Sequence, residues 1–418
     1  MISLLSKFGL IACLSVSFSA QSAVHNLQNK QDKGSDKNLT SNLDTNTKEN
    51  SQSSIQNNST QPELFSQEQD DYAHDWDVSG YIKTFASLPT DNRHSKLELD
   101  DLSIYVSGNI NRWLNPFVEA EYFGARLLSS QKGKNFKNGK FIFERLYNDF
   151  KINNEDRIRL GKFLAPVGYW NLIHAAPLVW TVNRPLTSTY SYSNYITGLE
   201  YGHTLNSMSG SRIDFYAQFG NEYNPKPLSE HPRRYKNIAG ASWTIIDDLD
   251  SRSSIDVQYA KVKTSQNKRL TFSFQKIWYL QTWDIDTQII YTKITNTSDD
   301  YNTENVVNSI NKISQISNKS EFSNLININS NEEIQHENGW DGGGYLQARY
   351  RYSSKWNFYG RGEYFHLAIE GKSGQNFVIG TRYHLGKWGN INVEFKSGSG
   401  AQKIAADGFS ISYNAMFR

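Results

Sequence analysis

Arginines recur at every second position in two stretches of the chain, Arg157 with Arg159 and Arg349 with Arg351. On an extended backbone that spacing puts both guanidiniums on one face, while Ile158 and Leu160, or Leu346, Ala348 and Tyr350, take the other. The same phase turns Arg145, Asp149 and Lys151 away from Leu146, Phe150 and Ile152. It groups Glu119 with Glu121, Asp284 with Asp286, Arg361 with Glu363, Arg382 with His384, and Glu394 with Lys396. Charges placed in this way can line a wet passage and sort the ions that enter it. For any one of them the plainer role is to pair across a wall and solvate it; together they demand a wet interior. Hydrolytic chemistry is a competing use. It needs a nucleophile, a histidine and an orienting acid or amide, and the nine histidines here are accompanied by no Gly-x-Ser-x-Gly elbow.

The elements that would position these charges are short and alternate with period 2. Segments of roughly 9 to 13 residues, the length of a tilted membrane strand, fall near 76–86, 99–111, 116–127, 141–152, 156–163, 195–205, 212–220 and 236–246. They continue near 253–263, 268–278, 282–295, 341–352, 355–368, 375–385, 388–397 and 408–417. In the last of them Phe409, Ile411, Tyr413, Ala415 and Phe417 share one side, and Ser410, Ser412, Asn414 and Met416 the other. A charged side chain facing lipid near the midplane costs about 2–4 kcal/mol for Arg or Lys, so membrane strands must keep this phase. The expected fold is therefore all-β: a transmembrane antiparallel β-barrel of sixteen strands, its last strand closing on the first. Around Lys276 to Thr282 strand and turn blur, which leaves fourteen or eighteen strands open.

Connection lengths carry the same message. Short turns (112–115, 153–155, 247–252, 353–354 and 386–387) alternate with long polar connections (87–98, 128–140, 164–194, 221–235 and 296–340). That asymmetry suits an outer-membrane barrel with periplasmic turns and external loops. Composition agrees, with 24 Tyr, 22 Phe and 10 Trp against 3 Met, as interfacial aromatic girdles require.

Ahead of the barrel, residues 1–23 read as a cleaved secretory signal: Lys7, the apolar run Phe8 to Val16, then small residues to Ala23. Leu10-Ile11-Ala12-Cys13 superficially matches a lipoprotein box, but the apolar run continues past the cysteine. If Cys13 leaves with the signal, disulfides and thiolate metal sites are excluded, and no metal or cofactor is expected. Residues 24–72, rich in Asn, Gln, Ser, Asp and Lys, read as a disordered periplasmic leader. Lys7 is the one charge of 1–23, and 24–72 hold four lysines and eight acids, leaving 39 bases against 34 acids for the barrel, 73–418. That mild surplus leans toward anions and does not describe a nucleic-acid binder.

One connection stands apart. Gly161 to Asn194 includes Leu172, Ile173, Leu178, Val179 and Trp180, too apolar for an exposed tip, and Pro166, Pro177 and Pro185 stiffen it. It is expected to fold inward after the fifth strand and narrow the pore, presenting Lys162, His174 and Arg184 to a solute; bracing of the barrel is the alternative.

The stretch Arg157-Ile158-Arg159-Leu160-Gly161-Lys162-Phe163-Leu164-Ala165-Pro166-Val167-Gly168 resembles the Leu-x-x-Gly-x-Phe-x-x-Pro-Phe-Gly pattern of the phosphate-selective porin superfamily, with Val167 where an aromatic is common. Leu146-Tyr147-Asn148-Asp149-Phe150-Lys151 is similar to that family's adjoining strand. The resemblance covers about forty residues in sequence and the rest by architecture. It implies a sixteen-stranded, trimeric general or anion-preferring porin of the bacterial outer membrane. The family's phosphate selectivity would need a ladder of bases alone, whereas acids accompany the bases here. The partners implied are small hydrophilic solutes or anions, outer-membrane lipid and lipopolysaccharide, and the barrel-assembly machinery, which would read Phe409, Tyr413 and Phe417 with Arg418 trailing at the headgroups. A non-conducting adhesion barrel acting through the 296–340 loop is the alternative.

Overall fold

The computed structural model describes residues 75–90, 93–131, 136–173, 175–205, 210–226, 234–247, 251–263, 267–295, 339–368, 372–386, 389–400 and 407–417. The signal and leader, the connection 296–338, His174 and Arg418 lie outside the described residues.

Among the described residues sixteen strands succeed one another. The first eight are β1 Asp75–Pro89, β2 Lys96–Asn109, β3 Pro116–Ser129, β4 Lys140–Lys151, β5 Asp156–Leu164, β6 Tyr195–Leu205, β7 Ser211–Asn221 and β8 Tyr235–Asp247. Then come β9 Ser251–Val262, β10 Lys268–Tyr279, β11 Trp283–Thr295, β12 Gly339–Arg351, β13 Trp356–Leu367, β14 Lys372–Gly386, β15 Gly389–Gly400 and β16 Gly408–Phe417. Each pairs antiparallel with its neighbours in sequence, and β1 pairs with β16 from Gly80 opposite Phe417 to Pro89 opposite Gly408. The barrel is closed, so neither end strand offers an unpaired edge.

Alternation decides which face is which. In β10 the apolar Leu270, Phe272 and Phe274 are exposed, while Arg269, Thr271, Ser273 and Gln275 are buried. In β16 Phe409 and Phe417 are exposed, while Ser412 and Asn414 are buried. Polar side chains inside and apolar ones outside invert the rule for a water-soluble core. Exposed aromatics collect at both strand ends: Trp76, Trp113, Trp283, Tyr352 and Trp356 at the turn end, and Phe141, Phe219, Tyr291, Trp340 and Tyr364 at the loop end. Among the described residues no helix is long and apolar enough to cross a membrane.

Three details refine the expected pattern. The tenth hairpin resolves cleanly, with β10 ending at Tyr279 and Leu280 N donating to Trp283 O at 2.8 Å across the turn. The alternation of connection lengths is partial, because the loop-end links between β9 and β10 and between β13 and β14 are as tight as turns. Lastly, the strict two-residue phase breaks at β-bulges. Lys83 faces Asp101 and Thr84 faces Leu99, so Asp100 is an extra residue; Glu119 faces Arg145 and Ala120 faces Phe143, so Glu144 is another. At each bulge two adjacent charged residues, Asp100 with Asp101 and Glu144 with Arg145, reach the polar face together.

Candidate functional site

Between β5 and β6 the chain forms a short helix α1 (Tyr169–Leu172), a 3-10 turn (Ala176–Leu178) and a second short helix α2 (Leu186–Tyr190). Two glycines of the motif make the entry. Gly161 has φ +135°, and a Cβ there would lie 2.2 Å from Leu146 O. Gly168 has φ +65°, and a Cβ there would lie 2.7 Å from Gln288 Nε2. Both backbone conformations favour glycine, and at Gly161 a side chain would also meet the main chain of β4.

Irregular backbone away from water needs partners for its N–H and C=O groups. The polar face of β9 to β15 supplies them. Gly168 N donates to Asp256 at 3.2 Å, Tyr169 N to Gln275 at 2.5 Å, and Trp170 Nε1 to Asp286 at 2.7 Å. Val182 N and Asn183 Nδ2 donate to Glu394 at 3.0 and 2.9 Å, and Leu186 N donates to Glu363 at 2.9 Å. In the other direction Arg382 donates to Val179 O at 2.8 Å and to Pro177 O, and Arg361 donates to Asn183 O at 3.1 Å. Arg349 lies 4.0 Å over the Trp180 ring, which meets Trp170 edge-on at 6.1 Å. Apolar residues of the segment, Trp170, Ile173, Val179 and Trp180, form a buried cluster with Ile277 and Tyr345 of the wall.

On the opposite side, between the segment and β1 to β3, a cavity of about 280 Å³ remains. Its charged lining is Lys83, Asp100, Asp101, Glu121, Arg184 and Lys226. Lys83 pairs with Asp100 at 2.7 Å, and Asp101 accepts from Ser103 at 2.9 Å and from the Tyr81 hydroxyl.

The bases expected to line a pore thus fall into separate settings. Arg184 lines the cavity and donates to Ile173 O at 2.7 Å. Arg349, Arg361 and Arg382 fasten the segment. Arg145 sits against Glu119 at 2.5 Å. Arg159 grips Asp149 through two nitrogens at 2.7 and 2.8 Å, while Arg157 joins Asp149 to Glu200. Lys162 is 1% exposed and donates to Phe143 O at 3.2 Å and Asn224 O at 2.9 Å. Lys151 and Arg351 occupy the turn-end rim, bonded to Asn109 and to carbonyls of the β10–β11 turn. His174 lies outside the described residues. The three aromatics expected to act as an assembly signal lie along β16, Phe409 and Phe417 exposed, with the Phe417 ring over Gly80 of β1. Among the described residues no group of three His, Cys, Asp or Glu side chains could hold a metal.

Sequence reasoning passed over Lys83, Asp100, Asp101, Glu144 and Lys226. Adjacent charges within a strand were the available signal for three of them, since one of the two would otherwise face lipid.

A closed antiparallel barrel of sixteen strands, polar inside and apolar outside, is the architecture of outer-membrane porins. No family model matches the chain, and no curated protein does. Solved structures do match. Outer-membrane-expressed OmpT of Vibrio cholerae aligns with a TM-score of 0.54 at 11% identity, over 84% of this chain and 100% of that one. An anion-selective porin from Comamonas acidovorans gives 0.53 at 11% identity, over 82% and 99%. Salmonella typhi OmpF, solved in complex with daunomycin, gives 0.52 at 11% identity, over 84% and 99%. At such identities the likeness is one of fold.

Proposed function

We propose that this chain is an outer-membrane porin through which small hydrophilic solutes diffuse passively. The cavity beside β1 to β3 carries this reading: a polar, charge-lined opening persists where the 165–194 segment leaves the wall uncovered. No chemistry is required of such a site, because width and lining charge set what passes. The segment acts as the constriction, and Arg184 is its charged contribution to the opening.

Lys83, Arg184 and Lys226 are balanced there by Asp100, Asp101 and Glu121, which supports weak ionic preference. The surplus of bases over 73–418 tilts that preference toward anions. Phosphate selectivity is not part of the proposal, since Arg145, Arg157 and Arg159 are each engaged by a carboxylate. Export by the 1–23 signal and recognition of Phe417 by the assembly machinery complete the reading, and the in-vitro folded OmpT of Vibrio cholerae, solved in a trimer form, supports a homotrimer.

Single-channel recording of the purified barrel in planar bilayers tests the proposal. Discrete steps proportional to salt concentration are expected, and an assembled barrel that never conducts would refute it.

A further inference from the structure

The connection after β7 holds an element that the constriction does not use. Its sequence, Asn224-Pro225-Lys226-Pro227, sets a lysine between two prolines. Pro225 fixes its own φ, and Pro227 restricts Lys226 to extended backbone, so the lysine is presented on a stiff arm.

Residues 222–226 are tied to the polar face of β3 to β6. Lys162 Nζ donates to Asn224 O at 2.9 Å and lies 3.4 Å from Glu222. Tyr223 N donates to Thr197 Oγ1 at 2.9 Å. Lys226 Nζ reaches Glu121 at 2.8 Å and Glu144 at 2.5 Å, with the Phe123 ring 5.5 Å away. These lysines differ in what they face. Lys162 is enclosed and acts as a fastener, whereas Lys226 borders the opening. Burial alone would favour the neutral Lys226 amine, but Glu121 and Glu144 outweigh it and hold the ammonium well above its ordinary range.

The charge arithmetic around the opening turns on this one residue. Lys83 is paired with Asp100, and Arg184 is held by a carbonyl of its own segment. Lys226 is the base that Glu121 and Glu144 share. Without it, Glu121 at the opening and Glu144 beneath it would lose the ammonium that offsets them, and a narrow low-dielectric passage would focus their field. We propose that residues 222–226 form a second inward element, and that Lys226 sets the ionic preference of the opening by offsetting Glu121 and Glu144. The assignment rests on the porin reading above and names its specificity-determining residue.

Reversal potentials of the full-length, assembled barrel in a potassium chloride gradient test it. Lys226→Met should raise the cation-to-anion permeability ratio by roughly threefold or more, and Lys226→Arg should keep the wild-type value. The double variant Glu121→Gln with Glu144→Gln should move the ratio the opposite way, and it reads the same balance if Lys226→Met does not assemble. A conducting wild type whose ratio is unmoved by Lys226→Met or, where that variant does not assemble, by the double variant overturns this inference and leaves the porin reading intact. A wild type that does not conduct overturns both.

Discussion

Two arcs of the same barrel wall carry the same kinds of side chain and use them differently. Along β9 to β15, Asp256, Asp286, Glu363, Glu394, Arg361 and Arg382 are hydrogen-bonded to the backbone or side chains of the segment between β5 and β6. Along β1 to β3, Lys83, Asp100, Asp101 and Glu121 border open space. A charge on the polar face of a barrel is therefore not by itself a contact for a passing solute. Where irregular backbone lies against the wall the charge is a fastener, because that backbone must find partners; where it borders the cavity it contributes to the field there even while paired, as Lys83 is with Asp100 and Glu121 with Lys226.

The sharpest way to break this contrast is to cut the fasteners. Combining Arg361→Met, Arg382→Met and Glu394→Gln removes charge-assisted hydrogen bonds worth about 1.5–3 kcal/mol each. The segment should then leave the wall, raising single-channel conductance about twofold or more with added gating noise; unchanged conductance would mean that the segment is held, or the pore limited, elsewhere. A smaller and different effect is expected on the open arc. Asp100→Asn with Asp101→Asn should shift the reversal potential toward anions with conductance kept within about twofold, and a shift toward cations would show that these acids do not face the permeating ions.

The open arc also contains the seam of the barrel, which allows a test of assembly independent of charge. Phe417 fills the space over Gly80, and Phe417→Ala should slow assembly and lower resistance to heat-induced unfolding in detergent, while deletion of Arg418 should leave both unchanged. Equal behaviour of the two variants would contradict the role given to Phe417. The smallest effect is expected at Arg159, whose two-point grip on Asp149 lies away from the opening. Arg159→Lys loses that geometry and should cost about 1–2 kcal/mol of stability with no measurable change in ion preference; a change in preference would place Arg159 in the permeation path.

Sequence alternation revealed all sixteen strands to within a few residues, because apolar and polar side chains keep to opposite faces along most of each strand. It also revealed the unusual segment after β5, whose apolar residues and prolines suit no exposed loop. Partners were a different matter. Periodicity assigns Arg361 and Arg382 to a face but is silent on whether Asn183 O or Val179 O lies within reach, since those contacts join residues far apart in the chain. Bulges hid a further part. Asp100 beside Asp101 and Glu144 beside Arg145 violate a strict phase, and that violation was itself the clue that a residue had been inserted. Lys226 left no periodic trace, only its two flanking prolines.

Thiol accessibility on the two arcs tests the central contrast most directly. Asp101→Cys on the open arc and Asp286→Cys beneath the segment, each in the assembled barrel, would be exposed to a charged thiol reagent during conductance recording. Rapid block from Asp101→Cys and none from Asp286→Cys is the expected result; block from Asp286→Cys with none from Asp101→Cys would contradict it.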